Sequence, residues 1–235
     1  MKHLIVFLLI LVSCSSLKAK KRDCIPVDIL LVIDVSLSTQ YVVERAVDYT
    51  DSLIDYLQEQ GFRDVRVGLV FFAKNTKYMV PLTYDRESVR DTVEWYYDDD
   101  FYDFDRNTTH IYTALDTVMS IFEHAETGHL RLTLFCTDGC QRIEVNGHAS
   151  MPAMTKYVSP IYMERLDAVG VFTVGVIMTK PPELYELDVD NTPPPTPTVR
   201  PCDDLLWSVS HIKGGSIYKG LGEDLKELIL SYDCR

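Results

Sequence analysis

The sequence of 235 residues fits one α/β domain with a well-buried core, once any N-terminal signal is removed, rather than two small domains. Its 46% hydrophobic and 25% charged content is ordinary for a soluble globular protein and argues against disorder along most of the length. The formal net charge of -12 repels nucleic-acid phosphates and anionic membranes on average, so cationic partners and metal ions are favoured.

The N-terminus has the pattern of a processing segment. A positively charged start precedes the apolar run Leu4 to Val12, which is too short to span a bilayer, and small residues follow it. We expect a signal peptide over residues 1–19, with cleavage somewhere between 16 and 22, no transmembrane segment and a secreted protein. A second interpretation stays open, because the run also resembles a bacterial lipobox in which Cys14 would carry lipid and anchor the chain at the cell surface.

Apolar runs that read as buried strands alternate with amphipathic segments, which is typical of a parallel sheet covered by helices on both faces. We expect six strands, at 28–33, 65–72, 78–82, 130–136, 171–177 and 216–218. Helices are expected at 43–57, 87–97, 111–124, 161–169, 203–211 and 223–232. The second and third strands are too close for a crossover helix and should form a hairpin. The fold class is therefore α/β: doubly wound and mostly parallel, with one antiparallel edge strand.

Two stretches depart from this regular pattern. Residues 180–201 include Pro193, Pro194 and Pro195 and should form a proline-rich loop insertion, because proline neither donates to a strand ladder nor continues a helix. Residues 95–105 mix acidic and aromatic side chains and read as a solvated turn.

Short oxygen-bearing side chains follow two of the predicted strands and precede one helix. Asp34, Ser36 and Ser38 come directly after the first strand, Thr109 stands before the third helix, and Asp138 follows the fourth strand. Strand ends of an open α/β sheet direct their next residues into the ligand-binding crevice. Oxygen ligands at such a place suit a hard cation.

With these motifs in this order, the sequence closely resembles the von Willebrand factor A family, over about 24–235. The resemblance implies a Rossmann-like fold and a metal-ion-dependent adhesion site. Its ligands would be Asp34, Ser36, Ser38, Thr109 and Asp138, and its cation Mg2+, with Mn2+ or Ca2+ as alternatives. An open coordination position would then accept a carboxylate from an extracellular or matrix protein.

The first and second loops depart from the family pattern. Val35 and Leu37 replace the usual glycines of the first loop, and Arg106 and Asn107 replace those before Thr109. Asn107 also begins a glycosylation sequon, and a glycan there would sit beside the metal and hinder a large ligand.

An exported protein can pair its cysteines. If Cys14 is lost or lipidated, five remain, and Cys136, inside an apolar strand, is the natural free thiol. We expect Cys140 to pair with Cys202, since the two loops should lie at one edge of the crevice. The resemblance implies a bond between Cys24 and Cys234, a tether that would oppose the slide of the last helix that accompanies ligand binding in integrin relatives.

The expected function is extracellular adhesion through the cation. No Gly-x-Ser-x-Gly elbow or phosphate-binding glycine loop is present, so we do not expect an enzyme. Two alternatives remain: a lipid-anchored bacterial or cell-surface scaffold in an envelope complex and, further off, a metal-dependent hydrolase.

Overall fold

The computed structural model of the protein describes most of the chain after residue 23. The described residues are 24–36, 39, 42–99, 109–138, 143–145, 148–150, 160–178, 206, 210–232 and 234. Outside them lie the predicted signal segment 1–19, Ser38, Asn107, Cys140, Cys202 and the predicted proline-rich loop 180–201. Of the helix expected at 203–211, only Leu206, Ser210 and His211 are described.

The sheet follows the predicted alternation closely. Its main strands are β1 (Val27–Asp34), β2 (Val65–Phe72), β3 (Thr76–Thr83), β4 (Leu130–Thr137), β7 (Val171–Ile177), β8 (Ile212–Ser216) and β9 (Gly220–Leu221). They lie in the order β3-β2-β1-β4-β7-β8-β9. Strands β2, β1, β4, β7 and β8 pair in parallel, whereas β3 pairs antiparallel with β2. A separate antiparallel pair joins β5 (Ile143–Val145) to β6 (His148–Ser150).

Five helices with both ends in the described part of the chain connect these strands. They are α1 (Val43–Glu59), α2 (Glu87–Asp99), α3 (Ile111–Glu123), α4 (Pro160–Ala168) and α5 (Glu223–Ser231). None of the helices in the described segments has the length and hydropathy needed to cross a membrane.

Burial of both sheet faces explains the uninterrupted apolar runs. Every residue of β1 is buried, because alternate side chains enter two separate hydrophobic clusters. Ile29, Leu31 and Ile33 pack with α1 and α5, whereas Leu30 and Val32 pack with α3. The two covered faces confirm the predicted doubly wound α/β class.

Two details of the sheet differ from the sequence prediction. The last predicted strand, at 216–218, is wrong: β8 ends at Ser216, and the next three residues form a turn. The sheet also has seven strands rather than six, because the two-residue β9 folds back antiparallel onto β8. Both differences arise where glycines replace the apolar residues that mark the other strands.

Candidate metal centre

Asp34 ends β1 and is fully buried at the carboxyl edge of the sheet. Its Oδ1 accepts a hydrogen bond from the Ser36 backbone N–H at 2.9 Å, and its Oδ2 accepts one from the Thr137 hydroxyl at 2.7 Å. The Ser36 hydroxyl also bonds to this carboxylate. Both carboxylate oxygens are therefore held in one orientation by donors from two different loops.

Thr39 closes the loop that follows Asp34. Its hydroxyl donates to the Asp34 backbone carbonyl at 2.6 Å, and its backbone N–H donates to the Ser36 carbonyl at 3.1 Å. The side chain of Thr39 is 1% exposed, so these bonds are protected from competition by water. These bonds hold Thr39 against Ser36 and the end of β1, beside the Asp34 carboxylate.

The loop that carries Thr109 is joined to the first loop through the end of β2. The Val35 N–H donates to the Phe72 carbonyl at 2.9 Å, and the His110 N–H donates to the neighbouring Ala73 carbonyl at 2.8 Å. Thr109 is buried in this position. The end of β2 thus holds Thr109 on the same edge of the sheet as Asp34.

The third loop begins at Asp138, directly after β4. The Met178 N–H donates to the Thr137 carbonyl at 3.1 Å, which fixes the end of β4 against β7. Burial raises the pKa of Asp34 from 3.8 to about 7, and the charge of Asp138 adds to the increase. The two carboxylates are therefore close enough to repel each other, and the Asp34 carboxylate is shielded from water.

The structure brings together most of the residues expected from the sequence. Ser36 hydrogen-bonds to Asp34, Asp138 is close enough to act on the charge of Asp34, and Thr109 lies on the adjoining loop. Ser38 lies outside the described residues, so its role as a ligand stays a prediction. The same holds for glycosylation of Asn107 and for the bond between Cys140 and Cys202.

Sequence reasoning missed two hydroxyl residues, Thr39 and Thr137. Neither belongs to the Asp-x-Ser-x-Ser spacing, and both contribute through hydrogen bonds to Asp34 rather than as expected ligands. The signal for Thr137 was its position immediately before Asp138 at a strand end.

The residues present fit a hard divalent cation. Asp34, Asp138, Ser36 and Thr109 offer carboxylate and hydroxyl oxygens, the ligands that Mg2+ prefers. In the part of the chain that the structure describes, no group of three or more His, Cys, Asp and Glu side chains is placed to hold a metal. The candidate set therefore relies on hydroxyls in addition to two carboxylates.

The cysteines at the two ends of the domain are joined. Cys24, before β1, forms a disulfide with Cys234, after α5, with the two Cα atoms 5.1 Å apart. Cys136 is a free thiol inside β4, and burial raises its pKa strongly.

The structure is a doubly wound α/β domain. The loops that carry its candidate metal ligands lie at the carboxyl ends of β1 and β4. A family model, described as the von Willebrand factor type A domain, matches residues 29–141. Residues 29–141, which contain most of β1 and all of β2, β3 and β4, are therefore similar to the von Willebrand factor type A domain.

Solved structures with similar folds come from bacteria and from mussel. An aerotolerance-related membrane protein of Bacteroides fragilis is 15% identical, with 88% of this chain and 98% of that chain covered and a TM-score of 0.49. The conserved hypothetical protein BatB of Bacteroides thetaiotaomicron is 17% identical, with 88% and 96% covered and a TM-score of 0.47.

Proximal thread matrix protein 1 of the mussel byssus is 15% identical, with 90% of this chain and 48% of that chain covered and a TM-score of 0.47. Similarity at this level says nothing about a ligand or a partner. No curated protein sequence matches this chain.

Proposed function

We propose that the domain binds one divalent cation, Mg2+ in the first place, and uses it to bind an acidic group of an extracellular protein. Asp34, Ser36, Ser38, Thr109 and Asp138 would hold the ion. When bound, the cation would supply positive charge to an open position at the crevice, where a ligand's carboxylate can enter.

The buried Asp34 carboxylate, with Asp138 close enough to act on its charge, supports this proposal most strongly. Asp34 is fully buried, and burial together with Asp138 raises its pKa to about 7. Two like charges this close are costly when one of them is buried, unless a cation neutralises them. The donors from Ser36 and Thr137 meanwhile hold the Asp34 carboxylate as a preformed ligand.

The proposed role is binding rather than catalysis. The groups around Asp34 are hydroxyls, backbone amides and a second carboxylate, and they hydrogen-bond to Asp34 or act on its charge. A metal held in this way offers a charged anchor for a ligand. If the wild type hydrolysed generic ester or phosphate substrates and Asp34→Ala did not, the proposed binding role would be contradicted.

The proposed location is outside the cell. The disulfide between Cys24 and Cys234 requires an oxidising compartment to form and persist. This favours export, either by simple secretion or with a lipid anchor at Cys14. The intact mass of the mature protein separates these cases, since diacylation of Cys14 adds two acyl chains whereas signal cleavage leaves none.

Calorimetry on the EDTA-treated, dialysed protein tests the metal site. We expect one Mg2+ or Mn2+ per chain for the wild type and no measurable binding for Asp34→Ala or Asp138→Ala. Asp91→Ala is the matched control, because Asp91 is an exposed carboxylate on α2. Equal affinity in all four proteins would overturn the assignment.

Ligand binding requires a second experiment. Extracellular proteins captured by the immobilised domain in Mg2+ should be released by EDTA, and Asp138→Ala should capture none of them. Capture that survives EDTA would contradict metal-dependent binding, even if the calorimetry succeeds.

A further inference from the structure

Arg45 lies at the same edge of the sheet as the candidate metal centre. It belongs to the first turn of α1, the helix that follows the loop of Asp34 and Ser36. Its guanidinium carbon lies 4.9 Å from the centre of the Tyr218 ring, in the turn that follows β8. Strands β1 and β8 run in the same direction through β4 and β7, so their carboxyl ends share one edge. Arg45 and Tyr218 therefore lie on the face of the domain that a ligand at the cation would contact.

The backbone around Arg45 and Tyr218 holds both side chains in place. In the turn, the Tyr218 N–H donates to the Ser216 hydroxyl at 3.2 Å. Helix α1 is tied to β8 by the buried hydroxyl of Tyr49, which donates to the Gly214 carbonyl. The contact between the guanidinium and the ring thus joins two anchored segments, and a ligand that binds there has to order little of the chain.

The guanidinium of Arg45 has an aromatic neighbour but no acidic one. Arg165 lies over a tyrosine ring as well, yet it also pairs with Asp116 at 3.2 Å. In the part of the chain that the structure describes, no carboxylate lies within ion-pair distance of Arg45. Because the side chain is exposed, its N–H groups are open to a partner.

Two acidic residues are close to Arg45 along the helix, and neither engages it. Glu44 is its direct neighbour, and successive residues of a helix point in different directions. Asp48 lies one turn further on and accepts a hydrogen bond from Arg90 at 3.2 Å instead. Water is the remaining acceptor in the free protein, and a ligand's carboxylate can replace it.

We propose that Arg45 binds a second acidic side chain of the protein ligand whose first acidic group reaches the cation, an inference that rests on the proposed function. The planar fork of N–H donors matches the two oxygens of a carboxylate. The carboxyl ends of β1 and β8 are three strand spacings apart, about 14 Å. An extended chain advances about 3.4 Å per residue, so the second acidic residue stands about four positions from the first. The ligand is therefore an extended segment with two acidic residues at this spacing.

Binding of three blocked peptides in Mg2+, followed by nuclear magnetic resonance on the nitrogen-labelled protein, tests this. One peptide has a single glutamate, one has two adjacent glutamates, and one has two glutamates separated by three residues. The net charge of -12 disfavours an extra negative charge in general, so a gain in affinity needs a local cation. We expect the spaced peptide to bind about 3-fold more tightly than either of the others and to shift the Nε–H signal of Arg45. Equal affinity of the spaced and adjacent peptides would overturn the proposal.

Two variants isolate the cause. Arg45→Gln should lower the affinity for the spaced peptide to that for the single-glutamate peptide, whereas Arg63→Gln should not, because Arg63 is an exposed arginine before β2, at the opposite edge of the sheet. Thermal unfolding checks that each variant is folded. A spaced peptide that keeps its advantage in folded Arg45→Gln would contradict the proposal. Failure of the single-glutamate peptide to bind in Mg2+ would contradict the proposed function and, with it, the role of Arg45.

Discussion

The carboxylate of Asp34 accepts a hydrogen bond of 2.7 Å from the hydroxyl of Thr137, although 103 residues separate the two along the chain. This bond joins the end of β1 to the end of β4, where the first and third loops of the candidate metal centre begin. It also fixes Asp34 in the orientation that a cation would meet.

We predict that Thr137→Val lowers Mg2+ affinity by about 10-fold while leaving the fold intact, because the Asp34 carboxylate loses a donor that orients it. Calorimetry measures the change. Thr137→Ser keeps the hydroxyl and should restore most of the affinity. A valine variant that binds Mg2+ as well as the wild type would show that the bond has no positioning role.

Asp34→Asn should stabilise the metal-free protein and abolish its response to Mg2+. Asparagine removes the buried charge, and its amide can donate to the Thr137 hydroxyl. The gain near pH 8 should be about 1.4 kcal/mol for each unit of raised pKa that is relieved. Urea unfolding in EDTA measures it, with Asp91→Asn as the control, and a loss of stability would contradict the prediction.

The raised pKa of Asp34 also predicts how the stability of the metal-free protein changes with pH. The folded-state pKa of Asp34 is raised from 3.8 to about 7, so the folded state holds a proton that the unfolded state has released. The contribution of this group to stability is therefore fully present below pH 3.8 and is lost as pH rises to about 7. This loss on raising the pH should be absent in Asp34→Asn. Saturating Mg2+ should reverse the trend in the wild type, since protons compete with the metal.

Thr133→Val and Thr173→Val should each stabilise the protein by about 1 kcal/mol. The two residues are register partners on β4 and β7, and both hydroxyls are buried without a hydrogen-bond partner. Valine has nearly the same shape and no polar atom to desolvate. Denaturant unfolding of the single and double variants measures the effect, which need not be additive because the side chains are neighbours. Destabilisation by both changes would mean that the hydroxyls are satisfied in solution.

Removing the disulfide with Cys24→Ala/Cys234→Ala should cost at most about 5.4 kcal/mol, the chain-entropy estimate for a sequence separation of 210 residues. Urea unfolding measures the difference. Wild type in reducing agent is the matched comparison, and it should lose a similar amount. Peptide mapping that finds Cys24 and Cys234 unpaired in the native protein would contradict the bond itself.

Most of the fold followed from the sequence because both faces of the sheet are buried. Strands β2 and β7 begin and end where their apolar runs do, and β1 and β4 each extend the run by a residue or two. The exceptions have physical reasons. Strand β8 contains Gly214 and Gly215, which lack the side chains that give a strand its pattern. Strand β9 is only two residues long, which is too short to show a strand pattern in the sequence.

The candidate site was predictable where its spacing is local. Asp34 and Ser36 are two residues apart, so a single loop places both. The part played by Thr137 depends on β4 lying next to β1, and no local pattern records that.

The bond between Cys24 and Cys234 has a mechanical consequence. Its two Cα atoms are 5.1 Å apart, so tension applied to the chain before Cys24 and after Cys234 passes directly across the sulfur atoms. The sheet between them bears almost none of that load. A force applied at the two ends of such a domain should therefore not unfold the sheet. The crevice at the other end of the sheet should keep its shape under that force.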